Sequence, residues 1–272
     1  MPTRWRSGHW LRTAALAMVL CTPLLAAAFA IAGPLGLAAA TALAAGCALT
    51  VFLFSERTVL RALRARAVSE VERPDLYRMV RELSTSARLP VPRVYISPAQ
   101  QPNVLAVGRS ARRVCLCCTE GLLRLLTTAE LRAVLAHELA HMSRREIVVS
   151  SWSAGFAALL SLARLRPLAA LALRVTAPTS REYGADASGA LMTGDPMALA
   201  SALRKIDLCA ASLPWPPSGS LAASGHLMIA HPFPDDGYGR LFLTHPPTRE
   251  RVRRLEALAG YPRAEVSWRR LR

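Results

Sequence analysis

The chain begins with apolar sequence that neither alternates nor repeats at a helical period. Between residues 11 and 54 the only charged side chain is Arg12. A helix of about 20 apolar residues crosses a bilayer, and this run holds two such lengths, 13–32 and 35–54. Gly33-Pro34-Leu35-Gly36 separates them with turn-forming sequence. Residues 1–56 are therefore expected to form a transmembrane helical hairpin. A cleaved signal peptide is the competing reading, but the apolar sequence continues well past any plausible cleavage site.

Beyond the hairpin the pattern acquires periods. After Pro74, which can open a helix, Leu76, Met79, Val80, Leu83 and Ala87 recur at helical spacing. Residues 91–96 are β-rich between prolines, and 103–107 and 113–118 read as two strands around Gly108-Arg109-Ser110. Thr127-Thr128-Ala129-Glu130 has the form of a capping box and starts a helix. Asp195-Pro196 starts another, running to about Cys209. Residues 213–225 read as a Pro/Ser/Gly-rich loop, 227–230 as a short strand, and 248–258 as a last helix opened by Pro247. A second apolar stretch, 147–175, is interrupted by Arg164 and Arg166. The sequence leaves open whether it is one more span, a tilted or re-entrant pair, or a buried helical pair.

Composition sharpens the membrane reading. Of the 272 residues 52% are hydrophobic, and the mean hydropathy is +0.26. The net charge is +16, carried almost wholly by arginine, with Lys205 the single lysine. Nucleic-acid readers cluster basic residues with aromatics on one face. Here Arg4, Arg6 and Arg12 precede the first span, Arg57, Arg61, Arg64 and Arg66 follow the second, and others fill the C-terminal tail. That layout suits anionic lipid headgroups, not nucleic acid. By the positive-inside rule both ends of the hairpin are cytoplasmic, and so is everything after it. The six cysteines show no CxxC and no disulfide framework. On a strand, Cys115 and Cys117 share one face and Cys118 takes the other; small apolar residues in a buried strand account for all three.

The helix started by Thr127 contains His137-Glu138-Leu139-Ala140-His141. Two histidines four apart lie one turn apart on one face, so both imidazoles can reach one ion. Glu138 is rotated about 100° from His137, placed beside the metal to take a proton from its water. This is the logic of the HExxH metallopeptidases. Val134, Leu135, Leu139 and Ala140 surround the motif, where charged and polar groups are costly unless compensated. The sequence after His141 lacks the Gly and His of the metzincin pattern. A carboxylate from a later helix is the other solution. Glu182 offers it, and Asp186, four further on, can accept the N–H of a ligand histidine.

Over nearly its whole length the chain resembles the zinc metallopeptidases of the HtpX type, related to the CAAX prenyl endopeptidases. The matching pieces are the hairpin, QPNVLAVGR, TEGLLRLLTTAELRAVLAHELAHMSRREI, SREYGADASGALMTGDPMALASALRKI and HLMIAHPF…LFLTHPPTRERVRRL. The resemblance implies one zinc ion per chain held by His137, His141 and Glu182, with Glu138 as base and Asp186 behind the ligands. It also implies His245 near the cleft as oxyanion stabiliser, Arg251 as support for the site, and Asn103 on the strand edge lining the substrate groove. The expected fold is α+β, predominantly helical: a transmembrane helical hairpin, then a gluzincin-like zinc metallopeptidase domain over 57–272 with a small β-sheet. The expected protein sits multi-pass in the inner membrane with its catalytic domain cytoplasmic. It touches membrane lipids and cleaves polypeptides, membrane proteins above all, in quality control and stress. The chain departs from the family at Val104-Leu105, where the family commonly has Ala-Phe, and in the shortness of the 147–175 insert. A structural zinc in a non-catalytic scaffold or sensor, and a protease dedicated to one membrane substrate, remain as alternatives. The oligomeric state is left open.

Overall fold

The computed structural model describes residues 8–110, 112–144, 146–162, 164–176, 179–215, 219–233 and 244–260. Arg4, Arg6, Arg145 and the arginine-rich tail lie outside these residues.

The N-terminal helix, α1 (Gly8–Ala62), is broken at Ala32 (φ −132°, ψ 18°) and Gly33 (φ 59°, ψ −147°). Gly33 takes a conformation that side chains disfavour. A Cβ on Gly36 would lie 2.2 Å from the Ala28 carbonyl oxygen. Eight residues of straight helix would hold those positions about 12 Å apart, so the chain reverses at the break and its arms touch through small residues. Among the described residues most apolar side chains of the arms point outward, with Leu24, Ile31 and Leu43 among the most exposed. An apolar surface this extensive marks a membrane or a partner. Only the C-terminal end turns inward, where Val59, Leu60 and Leu63 pack on the sheet.

The strands are β1 (Arg66–Ala67), β2 (Arg93–Ser97), β3 (Val104–Ser110) and β4 (Arg113–Thr119), in the order β1-β2-β4-β3. β2 runs parallel to β4; the outer pairs are antiparallel. The alternation expected for the cysteines is present. Cys115 and Cys117 face the end of the hairpin, while Val114, Leu116 and Cys118 face the larger core. All three are free thiols, and burial pushes Cys115 and Cys117 up to about 12. They are inert packing groups, not ligands.

Against the other sheet face lie α2 (Pro74–Ser86), α3 (Glu120–Leu125) and α4 (Thr128–Ser143). From Ala133 to Met142 every residue of α4 is buried; a helix apolar on all sides belongs in a core. Its start is fixed by the expected capping box. Thr127 accepts from the Glu130 amide, and the Glu130 carboxylate accepts from the Thr127 amide. Burial works against the Glu130 carboxylate, but Lys205, Ser201 and Thr127 outweigh it and hold it at about 2. Because the folded value is depressed, this contribution is full above the ordinary value near 4.5 and is lost as pH falls towards 2. Thr127→Ala should cost about 1 kcal/mol, read as a lower thermal midpoint with the metal-binding residues untouched.

The stretch left open in the sequence folds as two short helices, α5 (Glu146–Leu162) and α6 (Arg166–Thr176). They pack on each other and on α1. At 17 and 11 residues each is shorter than a span. α7 (Ser180–Thr193) follows and ends at Gly194 in the left-handed region (φ 70°). Next is α8 (Pro196–Ser212), capped by Asp195, which accepts from the Ala198 amide. The expected loop at 213–225 contains a six-residue helix, α9 (Gly219–Ser224), and a 3-10 turn, Gly225–Leu227. The expected strand at 227–230 reduces to one bridge, Leu105 with Met228, plus the Ile229 amide donating to the Val104 carbonyl. The Ile229 and Ala230 carbonyls are taken by Arg251 and Asn103; side chains satisfy groups that a longer ladder would use. The last helix is α10 (Thr248–Ala259).

Candidate metal and active site

The site forms where α4 and α7 touch. A Cβ on Gly189 would stand 2.9 Å from the His137 backbone nitrogen, so only glycine lets α7 approach α4 this closely. The approach brings Glu182 over both histidines. Glu182 Oε2 lies 3.6 Å from His137 Nε2, and Glu182 Oε1 lies 3.6 Å from His141 Nε2. These separations are too long for hydrogen bonds. All three residues are buried, and their ligand atoms lie within 4.8 Å of one another.

A divalent ion fits this arrangement. Ligands about 2.0–2.1 Å from a tetrahedral ion stand about 3.3–3.5 Å apart, close to the spacing found. Both His137 ring nitrogens are buried without a well-aligned hydrogen bond among the described residues; Nε2, 3.6 Å from Glu182 Oε2, is in a costly state for a lone pair unless a cation meets it. His137 Nδ1 lies 3.0 Å from Asp186 Oδ1, which favours the tautomer with Nε2 free to ligate. Despite its burial, Glu182 is held at about 2, chiefly by the positive charges of His141 and Arg251. It therefore carries the negative charge that a metal ligand needs. Burial pushes His137 below its ordinary value, so it is neutral, as a ligand must be.

Glu138 is one residue along α4, 2% exposed, and lines the same small cavity as His141 and Glu182. Burial, reinforced by Glu182 and opposed by His141 and Arg251, raises it to about 8. A carboxylate poised near neutrality can take and return a proton. The cavity before it is lined by Ala106, His141, Glu182, His226 and Met228, and its volume is about 20 Å³, room for about one water.

The structure brings the remaining expected residues to the same place, with one difference of role. Arg251 donates from Nε and a terminal nitrogen to both Asp186 oxygens, at 2.9 and 2.7 Å. Its other nitrogen donates to the Ile229 carbonyl at 2.6 Å. Although burial opposes ionisation, Arg251 and His137 keep Asp186 far below the usual carboxylate range. His245 Nε2 is 2.6 Å from the Met228 carbonyl oxygen; burial lowers this histidine to about 3, so it is neutral and donates there. Asn103 is 1% exposed, with its side chain between the Ala230 carbonyl and the Val104 amide. It holds the segment beside β3 and does not face an open groove.

Two participants escaped the sequence reading. His141 Nδ1 lies 2.8 Å from Glu146 Oε2, and Arg181 Nε donates to the same oxygen at 3.3 Å. Glu146 is five residues beyond His141, off the same-face spacing. Only the end of α4 at Arg144 swings it back. Arg181 adjoins a ligand, and that adjacency was the available signal.

Comparison with known proteins agrees with this geometry. Residues 70–259 match the family model of peptidase family M48. The chain is 47% identical over 234 residues to the Protease HtpX homolog of Kineococcus radiotolerans, covering 75% of this chain and 80% of that protein. It is 36% identical over 283 residues to the Protease HtpX homolog of Paraburkholderia phytofirmans, covering 94% of this chain and 99% of that protein. The family match takes in every residue at the centre, and the second likeness extends over the apolar helices as well. The chain therefore belongs to peptidase family M48 and is a membrane metalloendopeptidase.

Proposed function

We propose that the chain is a zinc endopeptidase that cleaves membrane proteins at the cytoplasmic face, in quality control. The observation that carries this reading is the convergence of His137, His141 and Glu182 beside the raised carboxyl of Glu138. Two imidazoles and one carboxylate form a donor set typical of catalytic zinc, which keeps an open position. Among the described residues no fourth ligand joins the three. His226 has both ring nitrogens within reach of carbonyls, of Ala223 and Ser150, and Cys115, Cys117 and Cys118 lie on the sheet. This favours catalysis over a structural zinc.

Bound there, zinc would act as Lewis acid toward the scissile carbonyl and activate the attacking water. Glu138 accepts the proton of that water and passes it to the leaving amine. Asp186 and Glu146 hold the two imidazoles in register, and Arg251 keeps Asp186 ionised. His245 exchanges the Met228 carbonyl for the developing oxyanion, as a neutral N–H donor. The peptide pairs along β3 where Ala106 faces the cavity, recognised through its backbone; Asn103 fixes the end of that edge.

The two arms of α1 cross the membrane twice as residues 1–56, and 57–272 form the cytoplasmic peptidase domain. Arg57 and Arg61 at the exit meet anionic headgroups. Exposed Leu168 and Leu171 carry α6 into the bilayer surface. The quality-control role rests on the resemblance to the HtpX type.

Protein purified in detergent should contain one zinc per chain and cleave unfolded casein. A chelator should abolish the cleavage, and zinc should restore it. Stoichiometric zinc without cleavage would favour the structural-zinc reading.

A further inference from the structure

Glu146 stands at a junction of three helices. It is 7% exposed and opens α5. Its Oε2 meets His141 of α4 at 2.8 Å and Arg181 of α7 at 3.3 Å. Arg181 is 7% exposed and directly precedes Glu182. One carboxylate thus ties the last turn of α4 to the first turn of α7, and each turn carries a residue of the metal centre.

The other end of the same helix lies on the membrane hairpin. A Cβ on Gly155 would be 2.8 Å from Val51 Cγ1 and 3.0 Å from Ser55 Cβ, so α5 rests directly on the end of α1. Nine residues of helix, about 13 Å, separate Glu146 from this contact. Between them Ser151 Oγ accepts from the Gly108 amide of β3 at 3.0 Å. α5 therefore joins the hairpin, the strand edge and the metal centre through one rigid rod.

We propose that Glu146 is a positioning residue for His141, and that through α5 the membrane hairpin braces the metal centre. The proposal rests on zinc being bound at His137, His141 and Glu182. A carboxylate accepting Nδ1–H orients the ring and raises the basicity of Nε2; losing such a partner usually weakens metal binding about 10–100-fold. Arg181 holds that carboxylate in place through its 3.3 Å bond and, as the neighbour of Glu182, links its position to that residue. Any shift of α5 along the hairpin moves Glu146 relative to His141.

The test uses the full chain in lipid nanodiscs, with zinc affinity read by chelator competition and ligand geometry by the visible spectrum of the cobalt-substituted protein. Glu146→Ala should weaken zinc about 10–100-fold and alter the cobalt spectrum, and Glu146→Gln, which can still accept the N–H, should fall between. Gly155→Val should weaken zinc several-fold from a distance, and Val51→Ala in the same chain should recover the loss. Wild-type affinity and spectrum in Glu146→Ala would overturn the positioning role. A Gly155→Val protein that binds zinc as the wild type does would overturn the brace. A wild-type chain that binds no zinc would instead overturn the metal assignment itself. Thermal unfolding with chelator present separates folding defects: a positioning loss leaves the apo midpoint close to wild type, while a fold defect lowers it.

Discussion

Glu138→Gln should lower the rate of peptide cleavage about 10²–10⁴-fold while zinc remains bound. Glutamine keeps the shape and cannot accept the proton. The side chain adjoins the ligand atoms without being one of them, so the His137, His141 and Glu182 geometry should survive. Removing a buried carboxyl raised to about 8 also removes a strained group, so the variant should unfold no lower than wild type. Hydrolysis of a quenched-fluorescent peptide beside metal analysis gives both readings. Cleavage by this variant at the wild-type rate would refute the assignment of the base, and loss of zinc would place Glu138 among the ligands.

Arg251→Ala should be the most destabilising single change among the site residues. Arg251 is 2% exposed and makes two bonds to Asp186 and one to the Ile229 carbonyl. Its removal leaves Asp186 charged, buried and partnered only by His137. Breaking one side of a buried pair costs about 3–5 kcal/mol. Asp186 would also drift towards protonation, losing its hold on His137 and loosening zinc in the same variant. Denaturant unfolding in detergent measures the first effect and chelator competition the second. A loss below about 1 kcal/mol, the range of exposed pairs, would show that Asp186 finds another partner. The double variant Arg251→Met with Asp186→Leu should recover part of the stability but not the zinc affinity, because apolar replacement of both partners removes the uncompensated charge.

What the sequence made legible was local. The capping box at Thr127 and the four-residue spacings of His137 with His141 and Glu182 with Asp186 are properties of one helix each. A regular helix turns them into geometry without further information. The two strands were legible from their β-rich runs, but Gly108-Arg109-Ser110, read as the turn between them, belongs to β3. Glu146 was not, because its place depends on how the chain leaves α4 at Arg144 and enters α5. Asn103 was found but its role was not, since its partner Ala230 is 127 residues away. The 147–175 stretch could not be resolved from hydropathy because its helices are short, partly buried and partly exposed. The same composition serves a membrane surface and a protein core. The break in α1 at Gly33 was legible, since glycine and proline there disfavour a continuous helix.

The Met228–Ile229 segment pairs with the outer strand of the sheet at Leu105 and Val104. Unpaired strand edges invite neighbouring copies to add on, and a membrane confines such copies to two dimensions, where encounters are frequent. By pairing the end of β3 with its own Met228–Ile229 segment, the chain leaves less of that edge for a neighbouring copy to add to.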